Sequence, residues 1–213
     1  MENPTRTAQY LAVVEERRAE LRAQHARILP PKAHIVWEIG CGHGHFLTSY
    51  AQVHPDKLCV GVDITGDRIE RANRKRDRAK LTNLHFVHAE ARAFLETLPA
   101  EATFSEIFVL FPDPWPKSRH HKHRIMQSNF LAALARRAGE GTRLYFRTDY
   151  QPYFAEVNEL IRDCPDWVSI EEPWPFEQET VFQSRATQYS SLIAKPRQSE
   201  AQHKLAAEKT CRG

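Results

Sequence analysis

No stretch of this 213-residue chain approaches the ~18 consecutive apolar residues of a membrane-spanning helix, and its N-terminus has no apolar core of a secretion signal. Both absences predict a soluble, cytoplasmic protein with no membrane partner. Cysteine is scarce and scattered: Cys41, Cys59, Cys164 and Cys211 form no CxxC pair, which argues against a zinc site or a disulfide framework and for reduced thiols. Charge of one sign is in small excess, with 30 Lys and Arg against 27 Asp and Glu, so attraction for a polyanion has to come from local clusters. What remains, 41% hydrophobic residues over this length, suits one α/β domain. From Pro196 the chain is Gln, Lys, Glu, Ser and Ala without a core pattern, and 196–213 is predicted to be a disordered tail.

The most improbable stretch as plain scaffold runs from Val109 to Arg124. An apolar strand passes straight into Pro112, Asp113, Pro114, Trp115 and Pro116, then into Lys117, Arg119, Lys122 and Arg124 interleaved with His120, His121 and His123. The prolines cannot continue a sheet or helix and restrain their preceding residues to extended geometry, so a stiff loop holding Asp113 in one place is expected. Four permanent cations in eight residues suit a polyanion, and nucleic acid is the predicted partner.

Upstream, Thr5–Arg27 spaces Tyr10, Leu11, Val14 and Leu21 at helical intervals, with arginines off that stripe, and reads as an amphipathic helix on the domain; 1–33 is this helix and its linker. His34–Ile39 is an apolar strand ending at Gly40-Cys41-Gly42-His43-Gly44, and a helix follows. Glycines at 40, 42 and 44 allow a tight turn and close approach of a ligand to backbone N–H groups. The spacing is not that of a dinucleotide fingerprint. Glu38, immediately before the turn, would repel a pyrophosphate but accept a hydrogen bond from an amine.

Leu58–Ile64 is a second strand that ends near Asp63, an acid placed to grip ribose hydroxyls. After the Arg-rich helix Asp67–Lys80 and a third strand, Glu90 suits either an adenine amine or the N-terminus of the next helix. Phe104–Phe111 is a fourth strand. Ile125–Ala138 is a helix, Gly139–Gly141 a turn, and Thr142–Arg147 a fifth strand ending beside Asp149. A helix, a strand from Trp167, a polar and aromatic loop and a last strand Tyr189–Ala194 complete the core domain, 34–195. In that loop Thr180, Gln183 and Arg185 suit either a substrate role or an ordinary surface loop. The three acids and Asp113 then share the carboxyl edge of parallel strands, where open α/β sheets bind ligands.

The motifs Glu38-Ile-Gly-Cys-Gly-His-Gly44, Asp63, the Phe111–Arg124 loop, Thr148-Asp149 and the Thr180–Arg185 loop together resemble the bacterial tRNA (guanine-N7-)-methyltransferases. The Phe-Pro-Asp-Pro-Trp segment with its basic, His-rich tail is the most specific of these. The resemblance implies a Rossmann-like class I methyltransferase, a seven-stranded, mostly parallel sheet with helices on both faces. It also implies S-adenosylmethionine as donor, no metal, and methylation of N7 of guanosine 46 in the variable loop of tRNA. By motif position Glu38, Gly40, Gly42, Gly44, Asp63 and Glu90 fall on cofactor-contacting sites, and Asp113 on the catalytic, cofactor-contacting carboxylate. Lys117, Asp149 and the segment from Thr180 to Gln183 fall on substrate-contacting sites, and the residues themselves add Arg119, as a phosphate contact, and Arg185 to the substrate side. Gln183 stands where the family commonly has Glu, Glu90 where it often has Asp, and Asp63 where many relatives have Glu. Rival readings are a class I methyltransferase of another nitrogen, a non-catalytic RNA-binding module and a nicotinamide oxidoreductase. Monomer and homodimer stay open.

Overall fold

Near-continuous apolar runs such as Ile35-Val-Trp are what a strand needs when helices cover both faces of a parallel sheet. The computed structural model describes residues 6–178 and 188–197, and its sheet follows that logic. Seven strands lie in the order β3-β2-β1-β4-β5-β7-β6. In sequence they are β1 His34–Ile39, β2 Leu58–Asp63, β3 Leu84–His88, β4 Thr103–Leu110, β5 Ala138–Thr148, β6 Trp167–Ile170 and β7 Ser190–Pro196. Strands β1, β2 and β3 pair in parallel, whereas β7 runs antiparallel to both β5 and β6. The mostly parallel α/β sheet expected from the sequence is therefore present. No described helix is long and apolar enough to cross a membrane.

The chain divides into two compact units. The first holds the described residues up to Phe104 together with Gln178; the second holds Ser105–Glu177 and residues 188–197. In the first unit lie helices α1 Arg6–Ile28, α2 His45–Val53, α3 Gly66–Arg78 and α4 Ala91–Thr97. Its core is aromatic: Trp37 of β1 stacks between Phe94 of α4 at 5.1 Å and Phe104 at 5.0 Å. Helix α1 reaches this core only through its C-terminal half, where Leu21 and His25 are buried. His25 bonds Thr97 Oγ1 at 3.0 Å and sets its ring edge against Phe94, and burial lowers its pKa. Tyr10 and Leu11, expected on the covered stripe, are instead 68% and 58% exposed. The roughly four turns before Leu21 carry no buried residue among the described ones, so helical spacing alone overstated their burial.

In the second unit, helices α5 Ser128–Ala135 and α6 Gln151–Asp163 flank β5, β6 and β7. Phe108 stacks on Tyr145 at 4.7 Å, and the buried Trp167 indole donates to the Leu131 carbonyl at 2.9 Å. Two expectations are corrected here. Gly139 and Gly141 lie within β5 and not in a turn, with the Gly139 N–H donating to Thr142 Oγ1 at 2.8 Å. The helix predicted from Ile125 begins only at Ser128, because the Met126 N–H is taken by the Tyr153 hydroxyl at 3.1 Å and the preceding backbone is extended.

Candidate active site

The first unit builds a turn whose backbone is held from below and open above. Gly40, Gly42 and Gly44 adopt φ of 72°, 54° and 67°, the left-handed region that glycine enters without Cβ strain. The Gly40 and Cys41 amides both donate to the Val62 carbonyl, at 2.8 and 3.0 Å, which ties the turn to β2. Phe86 of β3 fills the space beneath: a Cβ at Gly44 would overlap its ring, and one at Gly61 would stand 2.7 Å from it. At Gly40 and Gly42 a Cβ would meet no heavy atom within 4 Å, so this side of the turn is free for a ligand to approach.

Glu38, two residues before Gly40, is 4% exposed and near enough to Asp63 and Lys75 for both charges to act on it. Its Oε2 is buried with no hydrogen-bond partner among the described residues. Burial raises its pKa to about 8, the Leu47 amide opposes the rise, nearby Asp63 adds to it and Lys75 offsets part of it. An orphaned buried carboxylate is costly unless something pairs with it, and a bound amine would supply that partner.

Asp63 has a second duty that the sequence did not disclose. Its Oδ2 accepts from the Gly42 amide at 3.0 Å and its Oδ1 from the Thr65 amide at 2.8 Å, so it braces the glycine turn from the end of β2. A carboxylate offers about four lone-pair sites, leaving two for hydroxyls of a ligand. Glu90 proves to be the N-cap of α4, accepting from the Ala93 amide at 2.9 Å through Oε2, and it is exposed. Lys75, placed by its sequence context on a solvated helix face, instead donates to the His43 carbonyl at 2.9 Å and clamps the turn.

In the second unit, the loop after β4 leaves the strand through Phe111 at φ 49° and turns again at Trp115 at φ 44°, both rare conformations for bulky residues. The Phe111 amide donates to the Arg147 carbonyl at 2.7 Å. Asp113 is exposed, as are Lys117 and Arg119. The basic run forms a short 3-10 helix, Ser118–His123, within what was expected to be a stiff loop throughout. Its His120 and His123 rings pack on Trp115, with centroids 5.7 and 5.1 Å away.

Arg124 breaks with the other cations. It is 2% exposed, donates to the Pro114 carbonyl at 2.8 Å, pairs with Glu156 and lies over the Tyr153 ring at 4.6 Å. It is a strut for the proline loop and not a phosphate contact, so the cationic cluster at the surface is Lys117, Arg119 and Lys122. Asp149 is exposed just beyond β5, after the buried Thr148. Thr180, Gln183 and Arg185 lie outside the described residues. No group of His, Cys, Asp and Glu among the described residues is arranged to hold a metal.

Known proteins are similar to this chain in sequence and in fold. The tRNA (guanine-N(7)-)-methyltransferase of Synechococcus sp. (strain JA-2-3B'a(2-13)) is 41% identical over 61% of this chain and 54% of its own length. The enzyme of that name from Thermosynechococcus vestitus is 30% identical over 70% of this chain and 73% of its own. This chain thus spans little more than half the length of some curated relatives it matches. Among solved structures, an rRNA methylase from Streptococcus thermophilus superposes with a TM-score of 0.54 at 12% identity, over 83% of this chain and 94% of that one, which speaks to the fold. The family profile described as putative methyltransferase matches residues 32–202, and with these relatives it establishes that the chain belongs to the tRNA (guanine-N7-)-methyltransferase family.

Proposed function

We propose that this protein transfers a methyl group from S-adenosylmethionine to N7 of guanosine 46 in the variable loop of tRNA. The observation that carries the donor half is Glu38 Oε2, buried without a partner just before an open glycine turn. S-adenosylmethionine supplies an electrophilic methyl on a sulfonium, together with an amine, a ribose diol and an adenine amine. Glu38 suits the amine, Asp63 the ribose hydroxyls through its remaining lone pairs, and Glu90 the adenine amine through the oxygen not spent on Ala93. The Gly40 and Gly42 backbone lets the ligand lie close.

The acceptor half rests on the names of the relatives and on Asp113, Lys117 and Arg119 being exposed on a braced loop. Guanine N7 carries a lone pair and no proton, so no general base is needed before attack. The work left to the protein is alignment, a term that reaches roughly 7 to 11 kcal/mol at its extreme. Positive charge moves onto the purine as the methyl is transferred, and the Asp113 carboxylate stabilises it there or holds the N1–H and N2 edge. Asp149 is a second carboxylate for the base edge, and Lys117 and Arg119 take flanking phosphates. Thr180 and Gln183 are assigned to the acceptor by motif position, and Arg185 by its place in the same polar loop.

The test is transfer from labelled S-adenosylmethionine into unmodified tRNA transcripts carrying guanosine or adenosine at position 46. Transfer confined to the guanosine transcript is expected. Equal labelling of both would move the target elsewhere, and no labelling of either would overturn the reading.

A further inference from the structure

β5 carries an arginine at the end of an apolar run, Leu144-Tyr-Phe-Arg147, and the side chain is buried at 5% exposure. Every nitrogen of its guanidinium is engaged. Nε donates to Ser191 Oγ at 2.8 Å, and the two terminal nitrogens form a bidentate pair with Glu177 at 2.9 Å each. Its central carbon lies over two aromatic rings, 3.9 Å from the Trp174 centroid and 4.6 Å from that of Tyr189. Tyr189 in turn meets the Phe111 ring edge-on at 5.9 Å, and the Arg147 carbonyl takes the Phe111 amide at 2.7 Å.

Both the backbone and the ring of Phe111 are thus held from the Arg147 position. Phe111 needs that hold, because its φ of 49° persists only where surroundings over-determine it. Its left-handed turn is what sends the chain into Pro112 and Asp113. The Glu177 side chain is 56% exposed, and an ion pair open to water on one side adds little to stability, so stability does not account for a charge here. What the guanidinium offers over a methionine is orientation: a bidentate pair fixes its plane, and the plane orients the rings packed against it.

We infer that Arg147 is a positioning residue for methyl transfer, acting through Tyr189 and Phe111 to fix the direction of the Asp113 loop. The inference rests on the acceptor role proposed for Asp113. Arg147→Met is expected to fold, with a melting temperature close to that of wild type and a donor affinity within about twofold of it, since Glu38, Asp63 and Glu90, the donor residues apart from Asp113, sit in the other unit. Single-turnover transfer into tRNA falls by about tenfold to a hundredfold, the scale of a misplacement of order one ångström, while the KM for tRNA changes little. Hydrogen exchange speeds up at the Phe111, Asp113 and Trp115 amides. Adding Glu177→Gln to Arg147→Met slows transfer no further, because the two act as one unit.

A folded Arg147→Met enzyme with wild-type rate and wild-type exchange overturns the inference, and so does a Glu177→Gln penalty that adds in full. If Arg147→Met does not fold, Arg147→Lys carries the test: it keeps the charge without the fork, and a several-fold slower transfer with faster Phe111 exchange is expected, an unchanged rate being the contrary result. Wild-type protein that transfers nothing to tRNA would overturn the functional reading instead, and the exchange comparison would still decide whether Arg147 controls the loop.

Discussion

Two strand exits in this molecule each present an acid, and they are built by opposite means. After β1 the chain leaves through three glycines, and Glu38, just before them, is sealed with one oxygen unpartnered. After β4 it leaves through three prolines, and Asp113 stands exposed while a buried arginine braces the loop from behind. A small ligand can be enclosed, so burial strengthens each polar contact made to it. A polyanion the size of tRNA has to be met at the surface, where solvent weakens each contact and rigidity must come from the scaffold. The first exit therefore carries its cost in desolvation and the second in restraint.

Arg124 gives the sharpest break in that comparison. Arg124 is buried but its partner Glu156 is 42% exposed, so Arg124→Ala leaves the Pro114 carbonyl unsatisfied and not a buried charge, and is expected to destabilise the protein by about 1 to 3 kcal/mol. Arg119→Ala, five residues earlier and exposed, is expected to shift stability by less than about 0.5 kcal/mol. Thermal unfolding of the two variants side by side decides it. Equal, small shifts would return Arg124 to the phosphate-binding cluster.

Asp113→Ala tests whether the exposed acid does chemistry. Loss of a group that stabilises developing charge costs about 10²- to 10³-fold in rate. Single-turnover transfer should fall by that factor while donor affinity weakens only partly. A parallel loss of donor affinity would place Asp113 with the cofactor alone.

The buried acid predicts a pH signature instead. Since the folded pKa of Glu38 is raised to about 8 from an ordinary 4.5, the folded state holds the proton more tightly than the unfolded one. Its contribution to stability is whole below the ordinary value and is lost as pH rises through about 8. Glu38→Gln without ligand should therefore gain on wild type as pH climbs through that window, measured as the difference in melting temperature. The same variant should bind S-adenosylmethionine about tenfold to a hundredfold more weakly, the worth of one hydrogen bond to a charged group. Calorimetry in two buffers near neutral pH should show wild type releasing protons on binding and Glu38→Gln releasing fewer. A variant that binds as tightly as wild type would free Glu38 from the donor site.

The two exits also differ in how legible they were. Strands β1 and β2 were read from the sequence nearly to the residue, because a run buried on both faces is apolar throughout and its end is marked by glycine or acid. Glu38, Asp63 and Asp113 stood out as candidates for a related reason: each is an acid at or just past the end of a strand. Arg124 and Lys75 were not, since each looks like one more cation in a basic run, and only packing against Glu156 or the His43 carbonyl separates it from its neighbours. Glycine misled in β5, where Gly139 and Gly141 keep ordinary strand backbone and need no turn. Periodicity misled in α1, because spacing names a face without saying whether anything covers it. Tertiary partners, not local pattern, decide all four.

Lys117 marks the smallest effect and the best probe of the exposed side. It is exposed at the start of the 3-10 helix, and its carbonyl, not its ammonium, takes the His120 amide at 2.7 Å. The ammonium is thus available to a phosphate without disturbing the loop. One lost phosphate contact removes about 0.7 to 0.9 of a unit from the slope of log affinity against log salt, depending on whether the strand is single or double. Lys117→Ala should lower tRNA affinity several-fold at low salt, converge on wild type as salt rises, and leave donor affinity and melting temperature unchanged. Titrations at three or four salt concentrations measure this directly. An unchanged slope would mean that the cations of this loop solvate the surface and that Asp113 meets its acceptor without them.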